Sequence, residues 1–552
     1  MKTMNLPKSI TNWILLLMLA SVASAAEWQW SVPVKAEKPE GGPARAWLWI
    51  PPHCERVRGL VVAQQNMEEI SILEHPKFRQ GLAELGFAEI WVSPFFDHSF
   101  RFNAGAGETF YGMVNELAEL SGYTELKFAP LVPMGHSAAA SWPYYLAVWE
   151  PERTLAALSV SGQWPYVRDP LYAPDIWSDR KLDFIPLLES MGEYEAAATW
   201  SREGLKERAD HPKMPLTMLA NPAQGHFASS DQKVEQLVFY LKKAAQYRLP
   251  KDWDATSAPK LIPIDPTQTG WLADKWRRDQ PPTAPPALVG KYHGDPKEAF
   301  WFFDEEHALE TERYQAAFRG LKPQLVGYVQ NGAMVAQKNS HLQVDLKFAP
   351  EADGVTFKLT GAFYDQVPAV SQRLSDWTLL PTNSPLDHAQ TGVISIERIS
   401  GPFEKLSADT FVVRFQRDTL QVTNARNYSL VFAATHPGDA KYKAAVQQAQ
   451  MSIPVRNAQG REQHITFPEI PSQSVAGKSV KLAATSDAGM PAQYFVREGP
   501  AEIVGDLLRF TDIPPRAKFP VKIAICAYQY GRATEPKIQS AVPVIQEFLI
   551  KP

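Results

Sequence analysis

The stretch Ala-Pro-Leu-Val-Pro-Met-Gly-His-Ser-Ala-Ala-Ala, residues 129–140, decides the fold. It predicts a short apolar strand, a sharp turn centred on Ser137 and the start of a helix. Gly135 lies two residues before Ser137, where a tight strand-to-helix corner needs a residue with almost no side chain. Such a corner exposes a serine hydroxyl and directs a helix N-terminus at the group that the hydroxyl attacks. We interpret the stretch as a nucleophile elbow, with an ordinary Gly-x-Ser turn as the alternative.

Length and composition indicate a globular protein of several domains. A chain of 552 residues is too long for one hydrophobic core. Its net charge of -4 offers no basic surface for nucleic acid, so no nucleic-acid partner is expected. The sequence has no clustered metal ligands and no HExxH motif, so neither a metal nor a cofactor is expected. Cys54 and Cys526 could pair in an oxidising compartment or remain two separate buried thiols.

The N-terminus has the pattern of a cleavable signal peptide over residues 1–25. Lys2 and Lys8 supply positive charge, and an apolar run follows over residues 13–20. Ala23-Ser24-Ala25 is a small-x-small cleavage site, which predicts a mature chain that starts at Ala26. This pattern predicts a secreted or periplasmic protein with no membrane span after cleavage. An uncleaved anchor is the alternative, although the apolar run is short for a span.

Predicted strands alternate with predicted helices in the first half of the chain. Strands are predicted at residues 46–51, 58–65, 89–94, 155–160, 185–188 and 215–220, and helices at residues 72–85, 108–120 and 230–247. This alternation predicts a parallel sheet with helices on both faces. Together with the elbow, it resembles the α/β-hydrolase fold, a doubly wound and mostly parallel sheet, over residues 47–247. Ala139 departs from the usual Gly-x-Ser-x-Gly pattern, but a small alanine still permits close packing there.

The predicted domains follow from changes in sequence texture. The α/β-hydrolase domain is expected over residues 26–250, followed by a proline-rich connector over residues 251–321. Residues 322–462 alternate short strands with turn residues and predict a β-sandwich. Residues 463–552 resemble bacterial immunoglobulin-like modules through Phe-Pro-x-Ile-Pro, Ala-Thr-Ser-x-x-Gly-x-Pro and Gly-Pro-Ala motifs. Such modules space, present or stabilise an enzyme, and some bind glycans.

A serine hydroxyl needs an imidazole to take its proton and a carboxylate to orient that imidazole. The α/β-hydrolase resemblance implies the chain order serine, acid, histidine. It implies His226, in the Gly-His-Phe that follows the last predicted strand, as the catalytic base. It also implies Glu195 as the acid in the preceding loop, with Glu193 as the second choice. Two alternatives stay open: both glutamates are solvated loop charges, or the acid comes from elsewhere, for instance Asp169.

The oxyanion of a tetrahedral intermediate needs two N–H donors. The resemblance implies Ala138 as one donor and Asn66 or Met67 as the other. A plain loop at residues 64–69 is the alternative.

An aromatic-rich interval after the strand at residues 155–160 is expected to form the cap of the site. Its rings could stack on a ring of the substrate or simply pack within the cap. The rings concerned are Trp164, Tyr166, Tyr172 and Trp177.

The resemblance implies a secreted serine hydrolase that cleaves carboxylic esters through an acyl-enzyme. Ser137 would attack the carbonyl, His226 would transfer the proton and Glu195 would orient His226. Acyl groups on extracellular carbohydrate are one candidate substrate. The alternatives are a secreted serine peptidase, a non-catalytic scaffold with a degenerate hydrolase domain, and an adhesion protein that binds through its β modules.

Overall fold

A computed structural model describes residues 27–162, 164–166, 174–227, 230–254, 256–369, 376–417 and 428–552. The predicted signal peptide, Asp169 and Tyr172 lie outside these ranges. Within them, no helix combines the length and the apolar character needed to cross a membrane.

The first part of the chain has the α/β-hydrolase fold, as the sequence predicts. Eight strands form one sheet in the order β1-β2-β4-β3-β5-β6-β7-β8. They are β1 Trp30–Val34, β2 Ala44–Trp49, β3 Gly59–Gln64, β4 Phe87–Ser93, β5 Leu131–His136, β6 Ala157–Val160, β7 Leu187–Gly192 and β8 Leu216–Asn221. Strands β3 to β8 pair in parallel, while β1 and β2 are antiparallel to their neighbours. Every residue of β3 to β8 is buried, because helices cover both faces of the sheet.

Helices on the two faces of the sheet build two separate cores. The helices are α1 Glu69–Leu73, α2 Pro76–Leu85, α3 Ala106–Ser121, α4 Trp142–Trp149, α5 Ala197–Asp210 and α6 Asp231–Arg248. One core takes buried residues from α3, α4 and α5, and the other takes them from α1, α2 and α6. The single helix predicted at residues 72–85 is two helices. Pro76 occupies the first turn of α2 and His75 caps it, because a proline cannot continue a helix from the preceding turn.

The seventh strand continues past the predicted boundary at residue 188, into the polar sequence Glu189-Ser190. Both residues are fully buried. The Glu189 carboxylate accepts hydrogen bonds from the Tyr144 hydroxyl at 2.9 Å and from the Gly162 N–H at 3.3 Å. These bonds offset the cost of burying a polar side chain in a sheet. The loop that carries the candidate acid therefore begins at Glu193.

Residues 251–321 contain regular structure that packs on the hydrolase sheet. They include β9 Trp271–Asp274, β10 Ala287–Leu288, β11 Ala299–Phe302 and helix α7 Glu305–Gln315. Strand β11 alternates its side chains between the two cores, with Phe300 in one and Trp301 in the other. The Thr217 hydroxyl of β8 donates a hydrogen bond to the Trp301 carbonyl at 2.6 Å, which joins this segment to the sheet.

The C-terminal half is rich in β-structure and mostly antiparallel. Its first group of strands is β12 Val326–Gln330, β13 Ala333–Met334, β14 Val344–Leu346, β15 Thr356–Lys358, β16 Thr360–Phe363, β17 Ser395–Ser400, β18 Phe403–Lys405, β19 Thr410–Val413, β20 Ser429–His436 and β21 Ala445–Ser452. Its second group is β22 Ile465–Thr466, β23 Gln473–Ser474, β24 Ser479–Lys481, β25 Thr485–Ser486, β26 Gln493–Glu498, β27 Ala501–Val504, β28 Leu507–Phe510, β29 Val521–Tyr528 and β30 Val544–Lys551. The core of the first group also takes in Phe495 and Cys526 of the second group, and the second group builds a smaller core of its own. Cys54 and Cys526 are buried in different cores as free thiols.

Candidate active site

Ser137 lies on a strained corner between β5 and α4. Its φ of 55° falls in the left-handed region, which costs a residue with a side chain roughly 1–2 kcal/mol. A Cβ atom at Gly135 would lie 1.9 Å from the Ala139 carbonyl oxygen, so only glycine fits there. Ala139 itself is fully buried, which explains why a small residue follows the serine. The corner has the geometry that a nucleophile elbow requires.

The elbow leads to a first prediction about stability. We expect Gly135→Ala to destabilise the protein strongly, because the new methyl group would overlap backbone rather than a movable side chain. Gly112→Ala is the matched control, since a Cβ there meets nothing within 4 Å and the residue lies inside helix α3. The control should raise stability slightly, by about 0.5–1 kcal/mol. Thermal unfolding of both variants measures the difference, and equal midpoints would contradict the tight-corner interpretation.

His226 lies in the loop after β8 and faces the serine. Its Nε2 atom is 2.8 Å from the Ser137 Oγ atom, within hydrogen-bond distance. Burial lowers the pKa of His226 well below its usual value, and the neighbouring His136 and His341 act in the same direction. The imidazole is therefore neutral at neutral pH and able to accept the serine proton.

The two candidate acids have different partners. Glu195 Oε1 lies 3.7 Å from His226 Nδ1, on the side of the ring opposite to the serine. Glu193 instead accepts the Ala223 N–H at 2.8 Å and forms an ion pair with Lys443 at 2.7 Å. The structure thus brings Ser137, His226 and Glu195 together, in the order serine, base, acid. It places Glu193 in a separate buried network.

The loop after β3 lies beside the elbow, but its backbone donors are engaged. Asn66 and Met67 donate their N–H groups to Glu69 Oε2 at 3.1 Å and 2.7 Å. The other oxygen of Glu69 accepts the His136 N–H at 2.8 Å. Burial raises the pKa of the Glu69 carboxyl to about 7. Sequence reasoning missed Glu69, a carboxylate that occupies the two donors expected to serve an oxyanion.

The aromatic rings of the expected cap contact other rings of the protein. Trp164 is buried and stacks on Phe300, with ring centroids 6.3 Å apart and planes inclined by 11°. Tyr166 contacts Trp177 edge to face and accepts the Leu182 N–H at 2.9 Å. These contacts favour the packing alternative for all three rings.

A second histidine reaches the site from the β-rich half. His341 lies between β13 and β14, and its Nδ1 atom is 2.7 Å from Glu195 Oε1. Its ring stacks on the His226 ring, with centroids 4.1 Å apart and planes inclined by 28°. Nothing in the local sequence around His341 distinguishes it, because the contact exists only in the folded chain.

Among the described residues, Glu195, His226 and His341 form a group that could hold a metal ion by residue type. Each offers one ligand atom, and these atoms lie within 4.8 Å of one another. Both Nδ1 atoms face Glu195 Oε1, that of His341 at 2.7 Å and that of His226 at 3.7 Å, and the two rings stack with planes inclined by 28°. A carboxylate that faces two imidazoles accounts for this cluster without a metal ion.

Solved structures of several esterases are similar in fold to part of this chain. One is Est1E from Butyrivibrio proteoclasticus, with 14% identity over 39% of this chain and 96% of that chain, at a TM-score of 0.27. Another is acetyl xylan esterase from Aspergillus awamori, with 14% identity over 38% and 98%, at 0.29. A third is an S-formylglutathione hydrolase from Agrobacterium tumefaciens, with 14% identity over 39% and 94%, at 0.30. No protein-family model and no curated protein matches the sequence.

Proposed function

We propose that this protein is a serine hydrolase that cleaves carboxylic esters through an acyl-enzyme on Ser137. The observation that carries the proposal is the 2.8 Å contact between Ser137 Oγ and His226 Nε2 on a strained elbow. Glu195 on the far side of the ring supplies the third member of the triad. A serine, a buried neutral imidazole and a carboxylate in this order are what nucleophilic catalysis by serine requires.

The chemistry follows from these positions. Ser137 Oγ attacks the carbonyl carbon while His226 Nε2 takes the hydroxyl proton. When the tetrahedral intermediate collapses, the bond from carbon to the alcohol oxygen breaks, and His226 returns the proton to that oxygen. Water then attacks the acyl-enzyme with the same base and releases the carboxylic acid. Glu195 stabilises the imidazolium that forms in each step.

The Ala138 N–H is the oxyanion donor that this proposal retains, at the start of the turn into α4. The N–H groups of Asn66 and Met67 serve as the second donor only if Glu69 releases them. Esters are favoured over amides because an alkoxide leaves more readily than the nitrogen anion of an amide, so that ester cleavage demands less of the catalytic groups. A secreted peptidase is the second candidate, since it shares the same triad.

The proposed location is outside the cytoplasm, and the proposed domain order is the one that the sequence predicts. Both rest on the signal-peptide pattern at residues 1–25 and on the resemblance of residues 463–552 to immunoglobulin-like modules. Acyl groups on extracellular carbohydrate are a substrate class that suits this setting. The role of the modules as spacers, presenters or stabilisers of the enzyme stays part of the proposal.

Two measurements test the proposed function together. The protein is assayed with p-nitrophenyl esters of increasing acyl length and with a p-nitroanilide of the same acyl group. It is also treated with a fluorophosphonate probe, and the modified residue is located by mass spectrometry. Ester turnover with labelling at Ser137 is the expected result. Faster turnover of the anilide would favour the peptidase, and failure of both turnover and labelling would favour a non-catalytic scaffold.

A further inference from the structure

We propose that His341 is a positioning residue that the β-rich half contributes to the triad, where it holds the Glu195 carboxylate and braces the His226 ring. This inference rests on the proposed function of Ser137 and His226. It extends the active site beyond the α/β-hydrolase domain, because His341 belongs to the segment between β13 and β14. The β-rich half would then be part of the catalytic apparatus rather than a spacer.

The Glu195 carboxylate lies closer to His341 than to His226. Its Oε1 atom lies 2.7 Å from His341 Nδ1 but 3.7 Å from His226 Nδ1. The shorter distance is within hydrogen-bond range, whereas the longer one is outside it. His341 is therefore placed to hold the carboxylate before the reaction begins. A small movement of Glu195 completes the bond to His226 when the imidazolium forms.

The His341 ring stacks on the His226 ring. His341 covers one face of the His226 ring at a centroid distance of 4.1 Å. His136 Nε2 lies 3.1 Å from the His226 carbonyl oxygen and fixes the backbone of the base. A ring held in this way keeps Nε2 directed at Ser137. This reduces the orientational freedom that the ring must lose on the way to the transition state.

The β-rich half is anchored at the two loops that carry Glu195 and His226. The Tyr194 hydroxyl donates to the Ala444 carbonyl at 3.1 Å, in the loop that carries Glu195. Gln448 of β21 donates to the Phe227 carbonyl at 2.9 Å, next to the base. A Cβ at Gly225 would lie 2.6 Å from the Gln448 amide nitrogen, so the two surfaces meet closely. This anchoring holds His341 next to Glu195.

The charges around His226 predict how its titration responds. The groups that act on the pKa of the ring are His136, His341, Glu195 and Lys233. Glu68 belongs to the same cluster, since it pairs with Lys233 at 2.9 Å and lies 3.3 Å from His136. His341 lowers the pKa of His226, so its removal should raise that pKa. Because the base must be neutral, the acid limb of kcat/KM should then move to higher pH.

Three substitutions separate the hydrogen bond from the stacking. His341→Asn keeps a side-chain N–H near the position of Nδ1 but removes the ring. His341→Phe keeps a ring against His226 but removes the donor, and His341→Ala removes both. His464→Ala is the matched control, because His464 Nδ1 also contacts a carboxylate, that of Asp487 at 3.0 Å, on an exposed surface of the β-rich half. Each variant is assayed with p-nitrophenyl acetate across pH, with EDTA present, beside a thermal unfolding scan.

We expect kcat to fall about ten- to hundredfold in His341→Ala and His341→Phe, with KM little changed, because a hydrogen bond to a charged group is lost. His341→Asn should recover most of the rate, and His464→Ala should match the unsubstituted protein. Three results would overturn the proposal: all variants retain full kcat, the asparagine loses as much as the alanine, or EDTA abolishes activity. Failure of the proposed function is distinguishable, because the unsubstituted protein would then show no turnover dependent on Ser137.

Discussion

Replacement of Ser137 by alanine should lower kcat/KM for p-nitrophenyl esters by at least about four orders of magnitude. The substitution removes the proposed nucleophile, the Oγ that contacts His226 Nε2 at 2.8 Å. The triad acts as a unit, so the remaining histidine and carboxylate have nothing to activate. The fold should tolerate the change, because alanine removes one hydroxyl from a half-buried position.

A neighbouring serine provides the control for this prediction. Ser141 is buried one turn further along the chain, at the start of α4, and its side chain makes no capping hydrogen bond. Ser141→Ala should leave ester turnover and fluorophosphonate labelling close to those of the unsubstituted protein. Burst kinetics with p-nitrophenyl acetate measure acylation directly in each protein. If Ser137→Ala kept the burst, the nucleophile would have to be another residue.

Replacement of Lys443 by methionine should cost about 3–5 kcal/mol of stability, the range for removal of one partner from a buried ion pair. Lys443 is buried, and its Nζ lies 2.7 Å from Glu193 and 2.7 Å from Asp279. Without the lysine, the Glu193 carboxylate keeps the Ala223 N–H at 2.8 Å and a longer contact with Arg278 at 3.5 Å. The pair joins the β-rich half to the loop of Glu195, so ester turnover should fall together with the unfolding midpoint.

Lys405→Met is the matched control for the buried pair. Lys405 Nζ also lies 2.7 Å from a carboxylate, that of Glu397, but both side chains are accessible to water. An exposed pair contributes about 0–1 kcal/mol, so this variant should unfold close to the unsubstituted protein. Addition of Glu193→Gln to Lys443→Met should recover part of the lost stability, because it removes the stranded charge. Equal effects of the two lysine substitutions would show that burial of the ion pair contributes nothing.

The elbow and the alternation of strands and helices were predictable from the sequence because both depend on short-range patterns. A glycine two residues before a serine, after an apolar run, needs no distant contact to be recognised. Boundaries were less predictable where a buried polar residue found its partner elsewhere. In the sequence Glu189 predicts the end of a strand, yet its hydrogen bond with Tyr144 keeps it inside β7. The His75-Pro76 sequence indicates the break between α1 and α2, whereas the helix predicted at residues 72–85 runs across it.

Residue types and their order in the chain therefore specify the hydrolase sheet, the candidate nucleophile at Ser137 and the choice of His226 as its base. They rank Glu195 above Glu193 only through the α/β-hydrolase resemblance, because both follow the same strand within three residues. Folding separates them by packing the β-rich half against this loop, which directs Lys443 at Glu193 and His341 at Glu195. Such contacts join residues that are remote in the chain, and their strength depends on distance and burial, which local sequence patterns do not encode.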